Sequence, residues 1–178
     1  MLFPLFQYGF LHVSFDHQLK EALPHLWRYG FSLTRDRVQA DDLVQDSVER
    51  ALRKRKLWDQ SQPLKPWVMK ILLNVFRDRF RARNRLAEVP FEPEYSGSVE
   101  DRSVEDRSEL NAVVARMQTL PETQLQALQL VAFGGLTYAE CAEVLGVPTG
   151  TILSRVARAR AKLNEDAAKA APTLRSVT

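Results

Sequence analysis

Apolar residues recur at helical spacing through most of the chain. Leu19, Leu23, Leu26 and Trp27 mark one stripe, and Val44, Val48 and Leu52, with Leu43 and Ala51 beside them, mark a second. Leu43, Val44, Val48 and Leu52 are therefore expected to face a core, leaving Asp42, Gln45, Asp46, Glu49 and Arg53 as a polar strip on the opposite side. Pro66 suits the first turn of a third helix, because its missing N–H would be unpaired there anyway. Trp67, Ile71 and Val75, with Leu72, Phe76 and Phe80, give that helix a broad apolar stripe, and Lys70, Asn74, Arg77 and Arg81 occupy its other face. Farther on, Leu125, Leu128 and Val131 lie at helical spacing after Pro121, and Gly134-Gly135 can end that helix. No segment alternates with period two for long enough to demand a strand, so the expected fold class is all-α.

Charge divides this helical chain into two blocks. From Arg50 to Arg85 twelve Lys or Arg stand against Asp59 and Asp78, a local balance of +10, although the whole chain carries only +3. Such a density suits a polyanion partner. The sign reverses over Glu88, Glu92, Glu94, Glu100, Asp101, Glu105, Asp106 and Glu109, where Pro90, Pro93, Gly97 and a tandem VEDRS repeat at 99–103 and 104–108 also fall. A stretch with so little apolar surface cannot offset its ordering entropy, so 87–106 is expected to be a flexible acidic linker. It would join a first helical domain at 16–86 to a second at 107–166, with an extension at 1–15 and a tail at 167–178.

The second block holds the sharpest local pattern. Thr137 with Glu140 three residues on reads as a capping box opening a short helix through Tyr138, Cys141, Ala142 and Leu145. Gly146 can then take the positive φ of a tight turn, and a further helix begins near Pro148. Two helices joined in this way form a helix-turn-helix, with Ala142 at their crossing and Ile152, Val156 and Leu163 on the inner face of the second. Thr149, Thr151, Leu153, Ser154, Arg155 and Arg158 are the candidates for its outer face. No acid occurs from Val144 to Asn164, whereas a helix that is merely solvated interleaves both signs.

In order along the chain, LTRDRVQADDLVQDSVERAL (33–52), PWVMKILLNVFRDRFRAR (66–83) and LPETQLQALQLVAFGGLTYAECAEVLGVPTGTILSRVARARAKL (120–163) resemble the extracytoplasmic-function group of bacterial RNA polymerase sigma factors. The resemblance covers about 16–166 and implies two small helical domains. It implies core-polymerase binding through Asp42, Gln45, Asp46, Glu49 and Arg53. It implies minus-ten DNA binding, in which Lys70, Asn74, Arg77 and Arg81 track phosphates and the loop residues Trp58, Asp59, Gln60 and Gln62 read a base. It also implies minus-thirty-five DNA binding through Thr149, Thr151, Leu153, Ser154, Arg155 and Arg158. The implied partners are core polymerase, promoter DNA and an anti-sigma protein of a kind often membrane-bound in relatives; no small-molecule substrate is implied. Leu153 departs from the pattern, standing where many relatives carry Lys or Arg, and Phe80 stands where Leu is frequent. Residues 1–15, MLFPLFQYGFLHVSF, match nothing in the family and, lacking Lys and Arg, make a poor signal peptide.

A stand-alone helix-turn-helix repressor or activator is the alternative. It has no need of the basic, aromatic-bearing third helix or of the acidic strip beside it. Enzymatic function has little support, with no Gly-rich phosphate loop, no nucleophile elbow and no pair of histidines at metal-ligand spacing. With one cysteine and His12, His17 and His25 the chain has too few soft ligands for a zinc site, so no metal and no cofactor is expected. A single cysteine and the absence of an apolar run of about 18 residues fit a reducing, cytoplasmic setting. Cys141, on the apolar side of its helix, reads as a buried structural thiol and Trp67 as core; Trp58, beside Asp59 and Gln60, reads as the more open tryptophan.

Overall fold

The computed structural model describes residues 14–86, 117 and 119–170. The linker at 87–106, residues 1–13 of the extension and residues 171–178 of the tail lie outside the described residues. Six α-helices and one 3-10 turn make up the described elements, with no strand among them. α1 (Phe15–Thr34) starts where Ser14 Oγ accepts the His17 N–H at 3.3 Å, and it ends at Arg35 with φ 56°. Asp36 follows at once as the N-cap of α2 (Arg37–Arg53), its Oδ1 accepting the Gln39 N–H at 2.8 Å. With two residues between them, α1 and α2 must run back against each other. A 3-10 turn (Arg55–Leu57) and a short loop lead to α3 (Leu64–Leu86), whose first N–H is accepted by Gln18 Oε1 of α1 at 3.2 Å.

The core of this half comes from Leu19, Leu26, Tyr29 and Leu33 of α1, Leu43 of α2, and Leu64, Val68, Met69, Leu72, Leu73 and Val75 of α3. The stripe of α2 differs from its expected position. Its buried line is Ala40, Leu43, Ser47 and Ala51, Val44 and Val48 flank it half-buried, and Leu52 is 41% exposed. Small side chains let α2 approach its neighbours closely, and Ser47 is tolerated at the seam because its hydroxyl donates to the Leu43 carbonyl at 2.6 Å. Likewise the fully buried stripe of α3 reaches Val75, and Phe80, on the expected continuation of that stripe, is 38% exposed.

In the second half Met117 and Leu120 precede α4 (Glu122–Ala132), which Gly134 and Gly135 terminate. The Leu136 N–H returns to the Leu130 carbonyl at 3.3 Å across Gly135, whose φ of +61° a side chain would oppose. α5 (Tyr138–Leu145) opens on the expected capping box: Thr137 Oγ1 accepts the Glu140 N–H at 3.3 Å and Glu140 Oε2 accepts the Thr137 N–H at 2.7 Å. Gly146, φ 67°, turns the chain, and α6 (Thr149–Ala170) buries Ile152, Val156 and Ala159 against α4 and α5. α6 runs past residue 166, where the second domain was expected to end.

The two halves are in contact, α5 packing on α3 and α4 on α1. No described helix is long and apolar enough to cross a membrane.

Two outcomes are expected. Thr137→Ala removes one side of the capping box and should lower stability by about 1 kcal/mol, a shift of roughly 2 to 4 °C in the melting midpoint followed by circular dichroism. Burial, and next the nearby Glu140 charge, push the Cys141 thiol up to about 12. The thiol is thus protonated at neutral pH, and it is the thiolate that reacts. A thiol reagent should therefore label Cys141 slowly in buffer and rapidly once denaturant unfolds the chain.

Candidate nucleic-acid interface

α3 carries the first basic surface because its apolar face is already committed to the core. Lys70 and Asn74 are exposed on the outer side, and Arg81 is exposed within 3.8 Å of Asp78. Arg77, one turn after Asn74, is half-buried, and its Nη2 donates to Gln126 Oε1 of α4 at 3.3 Å. Other cations of α3 turn toward α2. Arg79 Nη2 donates to Asp46 Oδ2 at 2.6 Å and to the Asp42 carbonyl at 3.0 Å, and Arg83 Nη2 donates to Gln39 Oε1 at 3.3 Å. Asp78 in turn faces Arg50 at 3.5 Å. The +10 read from the sequence is thus partly satisfied inside the domain, and Lys70, Asn74 and Arg81 are the outward share of the expected phosphate track.

The polar strip of α2 is divided. Asp42, Gln45, Glu49 and Arg53 are exposed, with Arg53 and Glu49 paired at 3.6 Å one turn apart. Asp46 is instead held by Arg79 and ties α2 to α3.

The loop before α3 departs most from expectation. Trp58 is buried at 8% exposure, its Nε1 donates to the Gln62 carbonyl at 3.1 Å, and its ring meets Phe15 edge-on at 5.7 Å. The indole is part of the buried core, which is why it is not the open tryptophan expected of this loop. Asp59 Oδ1 accepts the Ser61 N–H at 2.9 Å; that bond, and then the Ser61 side chain, hold its carboxyl below the usual carboxylate range. Gln60 and Gln62 remain exposed beside it. Trp67 is half-buried and edge-on to Phe15, in keeping with a core role.

The helix-turn-helix assembles as its sequence implies. Cys141 and Ala142 are buried in α5, and on α6 Thr149, Leu153 and Arg158 are exposed, Leu153 at 55%, with Thr151, Ser154 and Arg155 half-buried. Ser154 Oγ donates to the Thr151 carbonyl at 3.0 Å, which leaves its lone pairs as acceptors. Because the Thr151 N–H is committed to the Pro148 carbonyl at 2.9 Å, Thr149 and Gly150 supply the outward amides of the first turn. Lys162 Nζ lies 3.2 Å from Asp166 on the same helix, so its charge is partly balanced away from the outer face.

Three residues that sequence reasoning passed over join the halves. Lys65 Nζ donates to the Gly135 carbonyl at 2.6 Å, Gln126 accepts from Arg77, and Gln129, 2% exposed, donates through Nε2 to the Ser32 carbonyl at 2.9 Å. Gln129 was detectable as a polar residue one turn after Leu125 on the buried face of α4. His25 lies against Gly135, and burial, then Lys65 and Arg28, lower its pKa and favour the neutral ring. Among the described residues no cluster of His, Cys, Asp or Glu could hold a metal ion.

The comparison with known proteins follows the same division. Residues 19–86 match sigma-70 region 2 and residues 110–163 match sigma-70 region 4. The chain is 35% identical over 152 residues to the ECF RNA polymerase sigma factor EcfG of Rhodopseudomonas palustris, covering 85% of this chain and 83% of that one. It is 34% identical to the ECF RNA polymerase sigma factor SigC of Mycobacterium tuberculosis, over 84% of this chain and 80% of that protein. Among solved structures, the sigma factor RpoE in complex with the anti-sigma factor NepR from Bartonella quintana is similar, with TM-score 0.68, 30% identity and coverage of 88% and 98% of the two chains. CnrH in complex with the cytosolic domain of CnrY is also similar, with TM-score 0.67, 25% identity and coverage of 88% and 89%. A region 2 match has no place in a stand-alone helix-turn-helix regulator. Both halves match in order, and the relatives align over most of the chain: this protein belongs to the extracytoplasmic-function group of RNA polymerase sigma factors, initiation factors that direct transcription and leave the chemistry to the polymerase.

Proposed function

We propose that the chain directs core polymerase to promoters by dividing the work among three helices. α2 docks on the polymerase through Asp42, Gln45, Glu49 and Arg53, with Asp46 fixing its pitch against α3. α3 follows the phosphates of the opened minus-ten strand with Lys70, Asn74, Arg77 and Arg81, and Asp59, Gln60 and Gln62 of the preceding loop meet an extruded base. α6 enters the major groove at the minus-thirty-five element. The observation that carries the reading is the outer face of α6, where Leu153 and Arg158 are exposed on an acid-free stretch held in register by Gly146.

The chemistry of that face sets the roles. The amides of Thr149 and Gly150 and the positive end of the helix dipole suit one phosphate, which fixes the depth of insertion. Arg158 lies four residues after Ser154 and so shares its face, in position for a bidentate contact to guanine, while exposed Leu153 suits a thymine methyl. Because RpoE was solved with the anti-sigma factor NepR, and CnrH with the cytosolic domain of CnrY, we assign this chain an anti-sigma partner as well, and the cytoplasm as its place of work.

Run-off transcription with core polymerase tests the reading as a whole, since only a sigma factor confers promoter-dependent initiation on it. Arg158→Ala should relax a single minus-thirty-five position, losing about 1 to 3 kcal/mol of discrimination, while Lys162→Ala changes little because Asp166 already balances that charge. Binding-site selection with each variant reads this directly, and an unchanged motif for Arg158→Ala would refute the guanine contact. Asp42→Lys combined with Glu49→Lys should weaken core binding at least tenfold, about 1.4 kcal/mol, without moving the melting midpoint, since both side chains are exposed. Wild-type core affinity in that double variant would reject α2 as the docking face.

A further inference from the structure

The corner of the first half where α1 begins carries a surface that promoter reading does not use. α2 runs out through Arg53 and Lys54 into the 3-10 turn of Arg55, Lys56 and Leu57, so four consecutive cations are followed by a leucine. All five are exposed, Leu57 at 74%, and Leu52, next to Arg53, is 41% exposed. Arg53 is paired with Glu49 at 3.6 Å, whereas Lys54, Arg55 and Lys56 have no acidic partner among the described residues. α1 starts at the same corner: the Phe15 ring lies 5.7 Å from that of Trp58, the residue after Leu57.

Residues 1–13 join the fold at this corner, through Ser14. They include Leu2, Phe3, Leu5, Phe6, Phe10 and Leu11 and hold no Lys, Arg, Asp or Glu. Such side chains gain free energy in proportion to the area they remove from water, so a cover for them is favoured. The protein's own surface offers little: its exposed large apolar side chains are Leu23, Val38, Leu52, Leu57, Phe80 and Leu153, spread over four helices and the 3-10 turn. A bilayer interface supplies apolar depth directly beneath fixed headgroup charge. An apolar insert alone holds a membrane only marginally, and a polybasic patch is the usual second signal. Four cations reach the size of cluster that recognises anionic lipid. Asp16 and Asp59, both exposed near this corner, reduce its net charge, so neither signal suffices by itself.

We propose that residues 1–13 and the run from Arg53 to Leu57 form a membrane-binding corner. The uncharged segment enters the interface of an anionic phospholipid bilayer with Leu57 beside it, and Lys54, Arg55 and Lys56 lie on the headgroups. Attachment of this kind is peripheral and reversible, and it weakens as salt screens the headgroup charge. Asp59, Gln60 and Gln62 follow within a few positions, so a bilayer on this corner covers the loop assigned to the extruded minus-ten base. The chain then holds either a membrane or an opened promoter. That exclusion rests on the role proposed for the loop, whereas the lipid contact does not.

Flotation of the full-length protein with vesicles tests this, using equal parts phosphatidylcholine and phosphatidylglycerol against phosphatidylcholine alone. Wild type should float with the mixed vesicles and not with the neutral ones. Each Lys or Arg near an anionic surface adds about fivefold in affinity, so Lys54→Gln with Lys56→Gln should weaken binding roughly 25-fold. Deletion of residues 2–13 should abolish flotation at physiological salt. Arg37→Gln with Arg160→Gln removes the same charge from exposed sites elsewhere and should leave flotation near wild type. An equal loss in that control would show general attraction of a basic protein and overturn the corner, as would undiminished flotation of the truncated chain. If the Lys54, Lys56 variant lost promoter binding but floated normally, the run would be a DNA contact and the proposal would fail. Mixed vesicles should also inhibit run-off transcription by wild type and spare the truncated chain. Flotation without inhibition would uphold the lipid contact and count instead against the base-reading role of the loop.

Discussion

The packing of α3 is the constraint on which the first half and its junction with the second depend. α1, α2 and α5 all pack on it, so one helix must present an apolar surface to three neighbours and still carry the charge that suits nucleic acid. The sequence meets both demands by angular separation. Leu64, Val68, Met69, Leu72, Leu73 and Val75 are at most 1% exposed, while Lys70 and Asn74, on the same turns, point outward. Cations that fall between the two faces are bound by α2, as Arg79 is by Asp46, so they add to cohesion rather than to repulsion. These pairs are partly exposed, and each is expected to contribute at most about 1 kcal/mol. The cohesion of the domain therefore comes mainly from its buried apolar residues.

The second half achieves order with much less material. Its helix-turn-helix depends on a reciprocal cap at Thr137 and Glu140, a left-handed turn at Gly146 and short buried side chains at Cys141 and Ala142 of α5. None of these is large in energy. Together they fix the angle at which Leu153 and Arg158 leave the surface, which is what a reading head requires. Gln129 shows a different use of polarity: it is buried in the seam yet satisfied by a carbonyl of the other half, so the contact is specific for one docking geometry without being strongly adhesive.

What could be read from the sequence was the local part. Helical period located the helices, Pro66 and Pro121 fell near their starts, and Thr137, Glu140 and Gly146 took the conformations their chemistry favours, because caps and positive φ are decided by residues within a few positions of each other. The helical fold class, the burial of Cys141 and the two basic surfaces followed from the same local patterns. Tertiary structure decided which apolar residues are inside and which polar residues are already engaged. Leu52 lost its place in the core to Ala51 because closely packed helices favour the small side chain, and Trp58 became core because Phe15, more than forty positions away, closes over it. Arg79, Asp46, Lys65 and Gln129 look like ordinary surface or helix-forming residues until their partners arrive from other helices, and no periodicity encodes such a meeting. The sequence by itself determined which helices form and where they cap; only the packing of one helix on another determined which of their charges are left to face DNA.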